Sequence, residues 1–101
     1  MKSEVIRASG SRDPIEPANR KSFTLEELQA IVGGTIDIKQ LPRTGGMMVL
    51  NDNGKIMTPA LPVNDVASKI WQENYPIAEF PIGNDETIVG DVLICDMRWL
   101  R

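Results

Sequence analysis

The fold is decided by residues 23–38, FTLEELQAIVGGTIDI, which contain a helix start, a helix stop and a strand start in close succession. Thr24 is a residue type that caps helix N-termini, and Glu27 follows it at the spacing of a capping box. In a capping box each side chain accepts a hydrogen bond from the backbone N–H of the other residue. The sequence therefore predicts a helix over residues 25–32.

Apolar side chains and two glycines define the rest of this helix. Phe23 and Leu28 stand at the positions of a hydrophobic staple, which fixes how the chain enters a helix. Gly33 stands where many helices end in the left-handed conformation, and Gly34 lets the chain pass into a strand with almost no loop. The predicted buried face consists of Leu25, Leu28, Ile31 and Val32.

The string IVGG at residues 31–34 also resembles the first residues of a mature trypsin-like serine protease. The chain has only 101 residues and no histidine, so a Ser-His-Asp triad cannot form. The string also lies inside a predicted helix rather than at a free N-terminus. We interpret it as a helix-to-strand joint.

An antiparallel meander is predicted after this joint. Its three strands are residues 35–41, 47–51 and 55–58, and the NDNG turn at 51–54 joins the last two. In the first strand Ile36 and Ile38 alternate with polar residues, which predicts one buried and one exposed face.

The C-terminal half predicts a second helix and a central strand. Asn64 is an N-cap for a helix over residues 65–73, whose predicted buried face is Val66, Ala67, Ile70 and Trp71. Residues 77–86 are predicted to be a loop or an edge segment. Residues 87–100 predict a central or near-central strand kinked at Gly90. One face of that strand is predicted to contain Leu93, Cys95, Met97 and Trp99.

The fold class predicted is α+β. We expect a single small domain in which an antiparallel sheet of about four or five strands packs two short helices on one face. Residues 1–21 are predicted to form an N-terminal strand, at residues 3–9, and an irregular arm. Residues 22–101 are predicted to form the compact α+β domain.

The composition excludes several kinds of chemistry. Without histidine and with a single cysteine, Cys95, the chain has no basis for a His-activated nucleophile or a zinc site of the usual ligands. We predict no catalytic residue, no metal and no cofactor. Because the net charge is -3, we do not expect direct binding to nucleic acid. No signal peptide or membrane span is predicted, so we expect a cytoplasmic protein.

Basic and aromatic residues are the parts from which a ligand site would be built. Arg43 lies in the PRTGG turn at 42–46, and Lys39 lies just before it. The backbone N–H groups of such a turn are suited to an anion, although a plain hairpin loop is the favoured explanation of this turn. The aromatic candidates are Trp71, Tyr75 and Trp99. For the two tryptophans, a position in the core or at an interface is the favoured explanation. Two asparagines, Asn51 and Asn64, complete the candidate set.

Four separated motifs in this order resemble one known family, the domain of unknown function 3846. They are the run FTLEELQAIVGGTIDI at 23–38, the Asn-x-x-Gly-Lys turn, Leu-Pro-x-Asn and the IVGD strand. The matching positions are Leu28, Gln29, Val32, Gly33, Gly34, Asn51, Gly54, Lys55, Leu61, Pro62, Asn64 and Gly90. The chain departs from the pattern at Asp52, where the family commonly has Glu, and in PVND at 62–65, where it commonly has Pro-Pro-Asn-Arg. The resemblance implies a protein of a phage, plasmid or other mobile element, and it implies no biochemical activity.

Three functions remain open. The first is a small non-enzymatic binding protein that antagonises a host defence, either by binding a host protein or by sequestering a small nucleotide signal. The second is a carboxylate- or metal-dependent hydrolase or nuclease-like enzyme, for which Asp91 and Asp96 are the natural residues and Asp37 or Asp52 the additions. The third is a structural or accessory interaction module. Exposed sheet edges favour a homo-oligomer in each case.

Overall fold

A computed structural model describes residues 3–54, 56, 59–76 and 87–100. The elements in chain order are β1 (Glu4–Ile6), β2 (Arg12–Pro14), α1 (Leu25–Val32), β3 (Ile36–Gln40), β4 (Met47–Asn51), α2 (Asp65–Asn74), β5 (Val92–Cys95) and a 3-10 helix (Met97–Leu100). The strands form one five-stranded sheet in the order β2-β1-β5-β4-β3. Every neighbouring pair is antiparallel, so the α+β class and the predicted number of strands are confirmed.

The start and stop of α1 are confirmed. The Glu27 backbone N–H donates to Thr24 Oγ1 at 3.1 Å, and the Thr24 backbone N–H donates to Glu27 Oε1 at 2.9 Å. Gly33 ends the helix with φ at 80°, a left-handed conformation that a residue with a Cβ rarely adopts. The predicted buried face is wrong at Leu25, which is 53% exposed. Leu25 is the first helical residue, and the buried contacts with the sheet are made by Leu28 and Val32, which lie further along the helix.

The two helices pack on opposite faces of the sheet, whereas the prediction placed both on one face. All four residues of β5 are buried. Val92 and Ile94 pack in one cluster with Trp71 of α2, and Leu93 and Cys95 pack in the other with Val32 of α1. The central strands carry apolar side chains on both faces, so each face needs a helix to cover it. We call these sides the α2 face and the α1 face.

Strand β3 lies at one edge of the sheet, and its predicted faces are only partly correct. Ile36 packs in the α1-face cluster, but Ile38 is 41% exposed. Asp37 and Lys39, predicted to be on the exposed side, are half-buried on the α2 face, opposite Leu50 and Met48 of β4. An edge strand has a neighbour on one side only, so burial there does not follow the alternation of residue types.

The predicted C-terminal strand ends earlier than expected. Gly90 has φ at 76°, which confirms the kink, and β5 is the central strand. After Cys95 the chain turns into the 3-10 helix, so the prediction that Met97 and Trp99 continue the strand is wrong. Asp96 begins this turn, because its carbonyl oxygen accepts a hydrogen bond from the Trp99 N–H at 3.0 Å.

The remaining predictions concern α2, the N-terminus and two connecting segments. Asn64 caps α2 as predicted, and its Oδ1 accepts a hydrogen bond from the Ala67 N–H at 3.0 Å. The predicted N-terminal strand is β1, which lies between β2 and the central β5. The predicted third meander strand falls mostly on residues outside the described part of the chain, and Ile56 lies in a turn. Residues 77–86 are also outside it.

Candidate functional site

Two charged side chains of β3 lie on the α2 face of the sheet, next to its apolar cluster. Lys39 Nζ is 3.2 Å from Asp37 Oδ2 and 5.9 Å from the centroid of the Trp71 ring. Both residues belong to β3, so they sit where the covered sheet meets solvent. An ammonium between a carboxylate and an aromatic face is stabilised by both. This is the one place where the structure brings several of the predicted site residues together.

The aromatic part of this site consists of Trp71 and Tyr75 at the end of α2. Their ring centroids are 4.4 Å apart with an interplanar angle of 36°. The Tyr75 hydroxyl donates to the Gln40 carbonyl oxygen at 2.8 Å, which ties the end of α2 to β3. Trp71 Nε1 is buried, and no described residue accepts a hydrogen bond from it. Trp71 is therefore chiefly a core residue whose ring also lies beneath the Lys39 ammonium.

A cleft lies beside Asp37 and Lys39, between β3, the turn after β4 and residues 87–89. Its cavity measures about 110 Å³. The residues that line it include Asp37, Lys39, Leu50, Asp52 and Ile56. Leu50 packs against the α2-face cluster, while Ile56 is 79% exposed. Pockets that enclose a nucleotide-sized ligand usually measure about 300–1,000 Å³. We call this cavity the acidic cleft, because two carboxylates and one ammonium line it among the described residues.

Arg43 lies in an exposed turn in which the N–H groups of Arg43 and Thr44 already have a protein partner. The backbone N–H groups of Arg43 and Thr44 donate to Asn74 Oδ1 at 2.7 and 3.1 Å. Asn74 Nδ2 in turn donates to Thr44 Oγ1 at 2.9 Å and to the Ile70 carbonyl oxygen at 2.8 Å. Asn74 was not among the predicted residues, since a buried asparagine at a helix end has no distinctive sequence signal. These contacts account for the turn as a structural element.

The two candidate asparagines hold the backbone together. Asn64 is fully buried, and its Nδ2 donates to the carbonyl oxygens of Ile6 at 2.9 Å and Gly90 at 2.8 Å. Asn51 Nδ2 donates to the Val32 carbonyl oxygen at 3.1 Å, and its Oδ1 accepts from the Asn53 N–H at 2.8 Å. Asn51 also lines the acidic cleft. The contacts of Asn64 are those of a structural residue rather than a ligand-binding one.

Trp99 is not part of the same site. It packs against the α1-face cluster, on the other side of the sheet from Trp71. The guanidinium carbon of Arg98 lies 5.1 Å from the centroid of its ring. The backbone N–H of Phe23 donates to the Trp99 carbonyl oxygen at 2.7 Å, which links the C-terminal 3-10 helix to the start of α1.

The perturbed titratable groups lie outside the acidic cleft. Burial, with a contribution from the charge of Asp96, raises the pKa of the Cys95 thiol to about 12. Hydrogen bonds from the Thr24 and Ala18 backbone N–H groups lower the pKa of Glu27. Both shifts follow from structural contacts. In the described part of the chain they therefore give no sign of an acid–base pair.

The carboxylates of the enzyme hypothesis are dispersed. Asp91 Oδ1 accepts from the Ala8 N–H at 2.9 Å, and its Oδ2 lies 3.3 Å from Arg7 Nη1. Asp96 starts the 3-10 helix, whereas Asp37 and Asp52 line the acidic cleft. Over residues 3–54, 56, 59–76 and 87–100, no three His, Cys, Asp or Glu side chains are grouped so as to hold a metal. Neither α1 nor α2 has the length and apolar character that a bilayer crossing requires.

Comparison with known proteins identifies a family without an assigned activity. A family model described as a domain of unknown function, DUF3846, matches residues 1–98. The search of curated proteins found no match. The search of solved structures also found none.

Proposed function

The chain belongs to the DUF3846 family, and we propose that it is a non-catalytic binding protein that engages a partner protein through the acidic cleft. The observation that carries this proposal is the composition of the cleft: Asp37, Asp52 and Lys39 line it, and the exposed Ile56 lies at its rim. An apolar rim beside carboxylates is suited to a partner surface that presents a lysine or arginine next to apolar side chains.

A protein partner fits the cleft better than a nucleotide signal. Nucleotide phosphates are bound by several basic side chains or backbone N–H groups. Lys39 is the one basic side chain among the described residues of the cleft, and Asp37 lies 3.2 Å from its ammonium. Two carboxylates would repel a polyphosphate, and a cavity of about 110 Å³ is too small to enclose a nucleoside.

The biological setting belongs to the same proposal. The chain would be encoded by a phage, plasmid or other mobile element. It would act in the host cytoplasm by binding a protein of a host defence system and blocking it. The net charge of -3 is consistent with a partner that carries a basic surface. Electrostatic attraction of this kind chiefly raises the rate of association and weakens with salt.

The test compares capture of host proteins by variants of the cleft. Asp52→Lys reverses a cleft charge, and Ile56→Asp removes the apolar rim. Glu16→Lys is the matched control, because it makes the same change of charge at an exposed position outside the cleft. We expect wild-type protein and the control to retain a stoichiometric host protein from a lysate, and both cleft variants to lose it.

The same preparations decide between the alternatives. Calorimetry with a panel of cyclic and linear nucleotides is expected to give no heat of binding. Tight binding of an unaltered nucleotide would replace a protein partner with a nucleotide one. Turnover of any nucleotide would overturn the non-catalytic function. Capture that is equally strong with both cleft variants would show that another surface binds.

A further inference from the structure

The outer edge of β3 is not paired with any other strand in the described part of the chain. Opposed residues in an antiparallel pair alternate between those that exchange hydrogen bonds and those that do not. The Asp52 N–H donates to the Thr35 carbonyl oxygen at 2.9 Å, and the Leu41 N–H donates to the Gly46 carbonyl oxygen at 3.0 Å. By this alternation Asp37 and Lys39 bond to β4. The N–H and C=O groups of residues 36, 38 and 40 therefore point away from the sheet.

The two edges of the sheet are not equivalent. The opposite edge strand, β2, has three residues and ends in Pro14, which has no N–H to donate. Strand β3 has five residues and no proline. The last carbonyl oxygen of β3, that of Gln40, accepts a hydrogen bond from the Tyr75 hydroxyl. A carbonyl oxygen has two lone pairs, so Gln40 retains acceptor capacity. Of the two edges of the sheet formed by the described strands, the β3 edge is therefore the one suited to accept another strand.

We propose that β3 pairs with β3 of a second copy of this chain, antiparallel and about a two-fold axis at Ile38. In this register Ile38 faces Ile38 of the second copy, and Ile36 faces its Gln40. These are the residues whose backbone groups point outward, so they form the hydrogen-bonded pairs. The two five-stranded sheets then join into one continuous sheet.

Charge complementarity selects the second copy as the occupant. In the same register Asp37 faces Lys39 of the second copy, and Lys39 faces its Asp37. These are the pairs without backbone hydrogen bonds, whose side chains lie closest across two strands. The four charges alternate in sign on the α2 face, so each ammonium lies near two carboxylates. The strand IDIKQ is therefore complementary to itself when reversed.

The pairing also covers apolar surface that is exposed in a single copy. Ile38 is 41% exposed and projects toward the α1 face, on the side opposite the charges. Against Ile38 of the second copy it would be shielded from water. On the α2 face the two acidic clefts lie side by side, because Asp37 and Lys39 line both the cleft and the proposed interface. The pairing itself does not depend on what the cleft binds.

A different interpretation of the charges must give a different experimental result. Inward-pointing charges on an edge strand can serve to prevent association. In that case the wild-type protein is a monomer, and changing the sign of one charge has no effect on its molecular mass in solution. The self-complementary interpretation instead requires association that depends on the order of the two signs.

The test is a charge-reversal cycle read by sedimentation equilibrium over a concentration series. Asp37→Lys and Lys39→Asp each place like charges opposite one another twice in the dimer, and each is expected to raise the dissociation constant by about tenfold or more. The double variant with Asp37→Lys and Lys39→Asp restores opposite signs and is expected to dimerise like wild type. An equimolar mixture of the two single variants is expected to form a heterodimer.

Two further variants separate pairing from other effects. Ile38→Pro removes an outward N–H without removing a bond to β4, so the chain should remain folded and become monomeric. Glu16→Lys changes the net charge as Asp37→Lys does and should leave the dimer intact. A monomeric wild type, or a dimer unaffected by both single reversals, would overturn the proposal. Neither result depends on binding of a host protein, so the proposed function is tested separately.

Discussion

At the scale of single residues, the buried asparagines distinguish this fold from a purely apolar core. Asn64 serves three backbone groups at once: the Ala67 N–H and the carbonyl oxygens of Ile6 and Gly90. It thereby joins the start of α2 to β1 and to the chain entering β5. A buried amide that is fully bonded costs little, whereas the groups it serves are expensive to leave unpaired.

Replacing Asn64 is therefore expected to be strongly destabilising. Asn64→Ala removes a helix cap and the two hydrogen bonds to the buried carbonyl oxygens of Ile6 and Gly90, a loss of about 2–4 kcal/mol in the free energy of unfolding. Urea denaturation followed by circular dichroism measures it. Asn64→Asp keeps the cap acceptor but loses both donors, so it is also expected to destabilise. Asn19→Ala, at an exposed asparagine, is the control, and an equal loss in that variant would contradict the role given to Asn64.

At the scale of elements, α1 is the element whose limits agree most closely between sequence and structure. The bounds of α1, its capping box and its Gly33 stop all follow from local chemistry, which a single sequence displays directly. Local chemistry does not determine the face of the sheet on which each helix packs. It does not determine the burial of Asp37 and Lys39 either. Those depend on strand order, and β1 enters beside β5 from the other end of the chain.

The candidate site was predictable only in its parts for the same reason. Lys39 and Trp71 are far apart in sequence, and their contact is created by α2 crossing the sheet next to β3. Trp99 was grouped with them because it is aromatic, but it lies on the other face. The acidic cleft had no signal in the sequence, since Asp37 and Asp52 are brought together only by the β3–β4 pairing.

The capping box of α1 predicts a dependence of stability on acid pH. The pKa of Glu27 is lowered below its ordinary value of 4.5 by hydrogen bonds from the Thr24 and Ala18 N–H groups. The stabilisation is thus present above the unfolded-state pKa and is lost as pH falls through the folded-state pKa. Glu27→Gln is expected to reduce the fall of the urea midpoint between pH 6 and pH 3. Glu26→Gln controls for the lost charge, and an equal effect there would contradict this explanation.

At the scale of the whole molecule, one sheet separates two cores, and β5 belongs to both. Val92 and Ile94 face α2, while Leu93 and Cys95 face α1. Unfolding one helix would expose one side of the central strand, so the two cores are expected to unfold together. The proposed dimer extends this sheet at the outer edge of β3, which β4 separates from β5, and therefore adds to the sheet without altering either core.

The single cysteine makes this cooperativity measurable. Cys95 is fully buried in the central strand, and burial raises its pKa to about 12, so the native thiol should not react with a disulfide reagent at pH 8. Labelling is then expected only through unfolding, at a rate that follows the population of the unfolded form. Asn64→Ala changes the α2 side of the sheet, yet it should accelerate labelling of this α1-side thiol by about 30-fold or more. The variant with Cys95→Ala gives the reagent blank. Rapid labelling of the wild type that Asn64→Ala does not change would mean that β5 opens locally, and that the two cores are not one cooperative unit.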